Sequence, residues 1–163
     1  MRRVLLLAVV STLGCSTLTD LNVGYQRSLT ASRNAVGVNV SSGAGTSSDS
    51  GVGFQIRTKF GPEMGQVGGG MHGYVSTGGK FLGLSQGFDN AAYVRVGADA
   101  LQVGTAEGHG SVSILCPYFD VGWIIPNPGL TLSISSQYDW RLSSAKNDLW
   151  IGAFLGFGFA SRM

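Results

Sequence analysis

The sequence predicts an all-β protein, an eight-stranded antiparallel up-and-down β-barrel. Short runs of alternating apolar and polar residues recur along the chain, as in strands whose two faces meet different surroundings. Clusters of Gly, Ser, Asn, Asp and Pro separate these runs, and no segment keeps a helical apolar period. Every connection except residues 78–90 is short enough for a hairpin. Consecutive strands are therefore expected to pair, and closure of the sheet to remove its exposed edges.

The alternation places eight strands along the chain. We predict them at residues 21–29, 35–42, 51–60, 66–77, 91–103, 111–124, 130–142 and 148–160. Successive side chains of a strand point to opposite faces, so each predicted strand carries one mainly apolar set and one mainly polar or small set.

The seventh predicted strand, LTLSISSQYDWRL, shows the two sets most clearly. Its apolar set is Leu130, Leu132, Ile134, Ser136, Tyr138, Trp140 and Leu142. Its polar set is Thr131, Ser133, Ser135, Gln137, Asp139 and Arg141. The third predicted strand alternates in the same way, and the eighth opposes large apolar residues to a set rich in glycine.

Whether the polar or the apolar set of side chains points outward distinguishes a soluble barrel from a transmembrane barrel. The interior of an eight-stranded barrel is only just wide enough for side chains, which suits the smaller, polar set. Charged residues make up 12% of the chain, about half the roughly 25% of soluble domains, so an outward polar set would be poor in charge. We therefore predict a transmembrane barrel with interfacial aromatic residues. These aromatic residues are Trp123, Tyr138, Trp140, Phe157 and Phe159.

The N-terminal residues predict export. Arg2 and Arg3 precede a short apolar run at residues 4–10, as in a signal peptide. The following Leu13-Gly14-Cys15-Ser16 resembles the lipobox of bacterial lipoproteins, which implies acylation of Cys15. An ordinary cleaved secretory signal is the alternative.

The predicted organisation has three parts. A signal peptide covers residues 1–14, an N-terminal anchor segment covers residues 15–20, and the barrel covers residues 21–160. If Cys15 carries lipid, Cys116 has no intramolecular partner, so no disulfide framework is expected.

The eight alternating strands resemble the small outer-membrane barrels of the OmpA/OmpX type over residues 21–160. The resemblance implies a bacterial outer-membrane location, contact with outer-membrane lipid, and a structural or surface-interaction role with a possible envelope or surface partner. It implies neither catalysis nor a cofactor. A soluble lipid-anchored barrel that binds an apolar ligand is the alternative.

A charge network is predicted inside the barrel. Its members are Arg57, Lys59, His72, Arg95, Asp99, Asp139 and Arg141. An unpaired charge in so narrow an interior costs several kcal/mol, so a salt-bridged plug is expected. Arg95 and Asp99 lie about 13 Å apart along one strand, too far to pair with each other. Each needs a partner on another strand, and Asp139 and Arg141 are the candidates.

Other chemistry has little support in the sequence. His109-Gly110-Ser111 is similar to the His-x-Ser of outer-membrane barrels that deacylate lipid A, with Asp120 as a downstream acid, but a solvated turn histidine is the simpler interpretation. His72 and His109 have no Cys, Asp or Glu at ligand spacing, so no metal site is predicted. A net charge of +2 without basic runs excludes a nucleic-acid partner.

Overall fold

A computed structural model of the protein describes residues 16–45, 50–76, 91–106, 108–125, 129–142 and 146–162. The strands are β1 (Ser16–Ser28), β2 (Asn34–Gly45), β3 (Ser50–Gly61), β4 (Met64–Ser76), β5 (Ala91–Ala106), β6 (His109–Ile125), β7 (Leu130–Asp139) and β8 (Asp148–Arg162). Within these ranges, no helix is long and apolar enough to cross a membrane.

The eight strands form one closed barrel in sequence order. Each pairs antiparallel with the next, and β8 returns to pair with β1. The predicted all-β, up-and-down barrel is confirmed. We call the end at which β1 begins and β8 ends the N-terminal end. The opposite end carries the links from β1 to β2, β3 to β4, β5 to β6 and β7 to β8.

The two faces of the sheet have opposite composition. Apolar side chains point outward along every strand: Phe54 is 69% exposed and Ile134 is 63% exposed. Polar side chains alternate with them and are buried inside the barrel. Among the Lys, Arg, Asp and Glu residues of the strands whose side chains are described, Arg27 alone is exposed. The barrel is therefore polar inside and apolar outside.

Two bulges change the phase of this alternation. Ala100 in β5 has no opposite residue in β4, because the register shifts there, and both Ala100 and Leu101 point outward. In β6, Leu115 has a φ of 48° and an exposed side chain, while Cys116 after it is buried. An extra residue in one strand bends it and reverses the faces beyond that point. A single phase of alternation therefore does not hold along the whole of either strand.

The bulge in β6 shortens the pairing of β7 with that strand. The predicted strand ran to residue 142, but β7 ends at Asp139. Beyond it, Arg141 forms an isolated bridge with Ser113 of β6, on the far side of the bulge. The extra residue in β6 interrupts the ladder between the two strands, which resumes for only one bridge.

The first strand begins earlier than predicted. Residues 16–20, which we expected in an N-terminal anchor segment, pair with both β2 and β8. The prediction missed them because this segment has a weak apolar set, whereas its polar Asp20 is an inward-facing residue. The predicted signal peptide and Cys15 lie outside the described residues, so export and lipidation stay predictions.

Glycines of the inner face make room for large side chains. A Cβ added at Gly122 would lie 2.2 Å from the ring of Tyr93, and one added at Gly24 would lie 2.5 Å from the ring of Phe154. Such distances leave no space for any side chain, which fits the narrow interior of an eight-stranded barrel.

Candidate functional site

The polar lumen lies between two clusters of apolar side chains. At the N-terminal end, Leu18, Tyr74, Tyr93 and Ile124 form one buried cluster. At the opposite end, Ala35, Met64 and Trp150 form the other. Most of the buried charged and amide side chains of the strands lie between these two clusters, and Asp148 lies beyond Trp150 at the rim of the opposite end.

The first ion pair lies near the N-terminal cluster. The Arg95 guanidinium contacts the carboxylate of Asp20 and donates a hydrogen bond to Ser41. The Ser41 hydroxyl donates to the same carboxylate over 3.0 Å. The guanidinium carbon lies 4.7 Å from the centre of the Tyr93 ring, a cation–π distance. The Asp20 carboxylate, the Ser41 hydroxyl and the Tyr93 ring therefore fix the position of the Arg95 guanidinium.

The second ion pair joins Arg57 to Asp120. Arg57 also donates to the hydroxyl of Ser135 over 2.9 Å. Its guanidinium carbon lies 3.7 Å from the centre of the Tyr118 ring. Both charged groups are buried, so the pair and its additional contacts offset a large desolvation penalty.

The third ion pair is the most deeply buried. The Lys59 ammonium lies 2.7 Å from each carboxylate oxygen of Asp139. The relative exposures of the two side chains are 1% and 0%. The ammonium also lies 5.0 Å from the centre of the Trp150 ring, within the apolar cluster of the opposite end.

Two arginines share one carboxylate at the rim of the opposite end. Asp148 accepts hydrogen bonds from Arg33 over 2.9 Å and from Arg141 over 3.4 Å. The hydroxyl of Ser28 also donates to this carboxylate. The Arg33 side chain is 15% exposed and comes from the link between β1 and β2, so this network fastens that link to β8.

Asp99 has a different environment. Its carboxylate is fully buried and accepts hydrogen bonds from three glutamine amides. Gln55 and Gln137 donate over 2.7 Å each, and Gln102 donates over 3.3 Å. Among the described residues, no cation forms an ion pair with Asp99.

His72 lies between two glycines on the inner face. Gly53 of β3 and Gly97 of β5 are its direct cross-strand neighbours. The ring is 3% exposed and lies 6.2 Å from the ring of Tyr74, centre to centre. Neither ring nitrogen has a hydrogen-bond partner in the described part of the chain.

All seven residues of the predicted network are buried inside the barrel, but His72 forms no hydrogen bond with a described residue and some of the others pair differently. The predicted partners Asp139 and Arg141 are wrong for both strand-β5 residues: Arg95 pairs with Asp20, and Asp99 binds amides. The register explains this, because Asp139 lies at the opposite end, beside Lys59.

The network predicted from the sequence did not include three of its acidic residues, which are Asp20, Asp120 and Asp148. Asp20 precedes the predicted first strand, and Asp148 opens the last one. Asp120 lies two residues after Tyr118 in the phase that the bulge creates, so it shares the inner face with Cys116. An alternation read backward from Gly122 through Asp120 would have found it.

The two residues of the catalytic alternative, His109 and Ser111, do not share one surface. His109 is the first residue of β6 and is exposed, whereas Ser111 is 3% exposed and faces the lumen. The Ser111 hydroxyl is in hydrogen-bond contact with the amide of Gln66 at 3.1 Å. In the described ranges, no three His, Cys, Asp or Glu residues form a group that could hold a metal ion.

Comparison with solved structures gives the same fold. The barrel is similar to Neisserial surface protein A, with a TM-score of 0.54 and 12% identity over 91% of this chain and 96% of that chain. It is also similar to Ail, the attachment invasion locus protein of Yersinia pestis, solved with the heparin analogue sucrose octasulfate. That match has a TM-score of 0.47 and 14% identity over 89% of this chain and 99% of that chain. Neither a protein-family model nor a curated protein sequence matches the chain.

Proposed function

We propose that the protein is a small bacterial outer-membrane β-barrel with a structural or surface-interaction role and no catalytic activity. The observation that carries the proposal is the reversal of the two faces. In a soluble barrel the apolar side chains would fill the interior, whereas here charged and amide groups fill it and apolar groups cover the outside. An apolar surface of this extent needs lipid as its solvent.

The dimensions of the apolar surface suit a bilayer. On β6, outward residues are apolar from Val112 to Ile125. Thirteen steps of about 3.3 Å cover roughly 43 Å along the strand, or about 33 Å along the barrel axis at a tilt near 40°. The hydrocarbon core of a bilayer is about 30 Å thick.

Aromatic residues support the same placement. Toward the opposite end, Tyr138 is 39% exposed and Trp140 is 57% exposed. Toward the N-terminal end, Phe157 is 66% exposed. Aromatic residues near both rims are typical of the two interfaces of a membrane barrel.

The filled lumen argues for a plug and against two alternatives. Ion pairs cross the interior between β3 and β6, between β3 and β7 and between β1 and β5, which argues against a wide diffusion pore. An apolar ligand would have to displace these buried charges, so the soluble ligand-binding barrel is disfavoured. Ser111 faces this interior, away from lipid, which disfavours a deacylase.

Lipidation at Cys15 completes the proposal. Cys15 directly precedes Ser16, the first residue of β1. Acyl chains on Cys15 would therefore enter the membrane directly beside the barrel. Mass spectrometry of the mature N-terminus tests this: we expect Cys15 with an S-linked diacylglyceryl group, with or without an acyl chain on its amino group, and an unmodified N-terminus at another residue contradicts it.

Folding in the presence and absence of lipid tests the membrane assignment. Urea-denatured protein is diluted into phospholipid vesicles or into lipid-free and detergent-free buffer. We expect the β-sheet signal in circular dichroism and protease resistance only with vesicles, since lipid must cover the outer face. Efficient folding in plain buffer would contradict a transmembrane barrel and would support a soluble one.

A further inference from the structure

We propose that Asp99 and the amides of Gln55, Gln102 and Gln137 form a buried binding site for one alkali metal cation. These four side chains come from β5, β3 and β7, and the amides surround the Asp99 carboxylate, Gln55 at Oδ1 and the other two at Oδ2. The inference rests on charge balance, on ligand geometry and on one buried oxygen without a partner. It does not depend on whether the outer face meets lipid.

Charge balance singles out Asp99. The buried lumen acids are Asp20, Asp99, Asp120, Asp139 and Asp148. The buried lumen bases are Arg57, Lys59, Arg95 and Arg141. Among the residues that the structure describes, one buried carboxylate is therefore in excess, since Arg33 lies partly exposed at the rim.

Asp99 is the acid that carries this excess. Each of the other four carboxylates contacts a basic side chain, whereas Asp99 does so with none of the described residues. The nearby Lys59 ammonium is held by both oxygens of Asp139. Three amide hydrogen bonds already stabilise this buried carboxylate, and a bound cation would in addition neutralise its charge.

The three amides can supply the remaining ligands. Their nitrogens lie 2.7, 2.7 and 3.3 Å from the Asp99 oxygens. An amide presents an oxygen in place of its nitrogen after a half-turn about the last side-chain bond, and the two arrangements have nearly the same shape. Oxygen ligands around Ca²⁺ bind at about 2.3–2.6 Å and lie roughly 3 Å from their neighbours, so an ion of similar radius, such as Na⁺, suits these separations.

Gln102 supplies the independent observation. Its side chain is 2% exposed, and its Oε1 has no hydrogen-bond partner among the described residues. A buried carbonyl oxygen without a partner is an unsatisfied acceptor. Turning this amide brings Oε1 toward the carboxylate, where a cation would satisfy it.

The ligand set selects a singly charged ion. Carboxylate and amide oxygens are hard ligands, which excludes the metals that prefer sulfur or imidazole. Mg²⁺ keeps several waters in a strict octahedron, and Ca²⁺ takes six to eight oxygens, whereas one carboxylate and three amides supply at most five. A single positive charge also neutralises the single excess carboxylate. Na⁺ or K⁺ fits both conditions.

The test is the effect of cations on stability. The full chain is refolded in a non-ionic detergent with NaCl, KCl or N-methylglucamine chloride at one ionic strength, so that general screening is equal. We expect the thermal unfolding midpoint to rise saturably with Na⁺ or K⁺, since a ligand that binds only the folded state stabilises it. Equal midpoints in all three salts would overturn the proposal.

Matched glutamine variants locate the effect. Gln137→Met removes a proposed ligand, and Gln66→Met makes the same change at a buried lumen glutamine that contacts Ser111 instead. Gln66→Met should keep the full response to alkali cation, and Gln137→Met should lose most of it. An unchanged response in Gln137→Met would place any cation elsewhere and overturn the site. Asp99→Asn should abolish the response wherever that variant folds.

Discussion

The outer and inner faces of the barrel are built from neighbouring residues of the same strands, yet their side chains are held in different ways. Ile134 on the outer face is 63% exposed, so the contribution of its side chain to the stability of the barrel depends on whether water or lipid surrounds it. Ser135 beside it is 4% exposed and accepts a hydrogen bond from Arg57. Any apolar side chain of similar size suits a position on the outer face. A polar side chain on the inner face needs a particular hydrogen-bond or ion-pair partner. Substitutions should therefore fail for different reasons on the two faces.

The largest effect is expected at the most buried ion pair. Asp139→Ala leaves the Lys59 ammonium buried without its partner, which should destabilise the barrel by about 3–5 kcal/mol. The free energy of unfolding is measured by urea titration in vesicles. The double variant Lys59→Met/Asp139→Leu removes both charges and should recover most of the loss. If the double variant is no better than the single one, the loss comes from packing and not from the charge.

The same variant also distinguishes a plug from a pore. Planar-bilayer recordings should find the wild-type barrel silent, because ion pairs fill its lumen. Small conductance steps are expected in Asp139→Ala, where an ion path opens beside Lys59. A large, stable conductance in the wild type would show a water-filled lumen and change the assignment to a channel.

The outer face is tested at the middle of β7. In the proposed transmembrane placement, Ile134→Arg puts a charge in the bilayer core and should reduce stability in lipid by about 2–4 kcal/mol. Ser135→Arg is the matched inner-face variant and should fail by overpacking. Thicker bilayers should increase the penalty of Ile134→Arg but leave that of Ser135→Arg unchanged. An equal dependence on thickness for both variants would contradict the assignment of the faces.

A smaller effect is expected from a glycine pair. Gly122→Ala forces a methyl group to within 2.2 Å of the Tyr93 ring and should destabilise by about 1–3 kcal/mol. Gly110→Ala meets nothing within 4 Å and should change stability by less than about 0.5 kcal/mol. Unfolding midpoints of the two variants in detergent provide the comparison. A neutral Gly122→Ala would mean that the inner face is looser than these distances imply.

The smallest effect is expected at the rim. Arg33→Ala removes a partly exposed partner from Asp148, which keeps Arg141 and Ser28. Exposed pairs contribute about 0.2–1 kcal/mol, so the change in unfolding free energy should stay within that range. The link between β1 and β2 should become more accessible to protease, because Arg33 fastens it. A loss above about 2 kcal/mol would show that the rim is as dry as the centre.

The number of strands and the face of most residues follow from the sequence alone. Alternation has a period of two, so a run such as residues 130–139 defines both of its faces without any knowledge of its neighbours. Glycine and serine clusters mark the connections for the same local reason. These local signals gave a wrong result at the two bulges, where an extra residue shifts the alternation of inward and outward side chains. They also failed in residues 16–20, where few apolar residues mark the outer face.

The partners inside the lumen were decided by the tertiary structure. Arg95 and Asp20 are separated by 75 residues, Lys59 and Asp139 by 80, and both pairs meet across the barrel. Which residues face each other there depends on the accumulated register of eight strands, and a single bulge in β6 moves Asp120 onto the inner face. The alternation predicted that charges would lie inside. It could not predict that Asp99 would meet three amides, because that contact exists only after the barrel has closed.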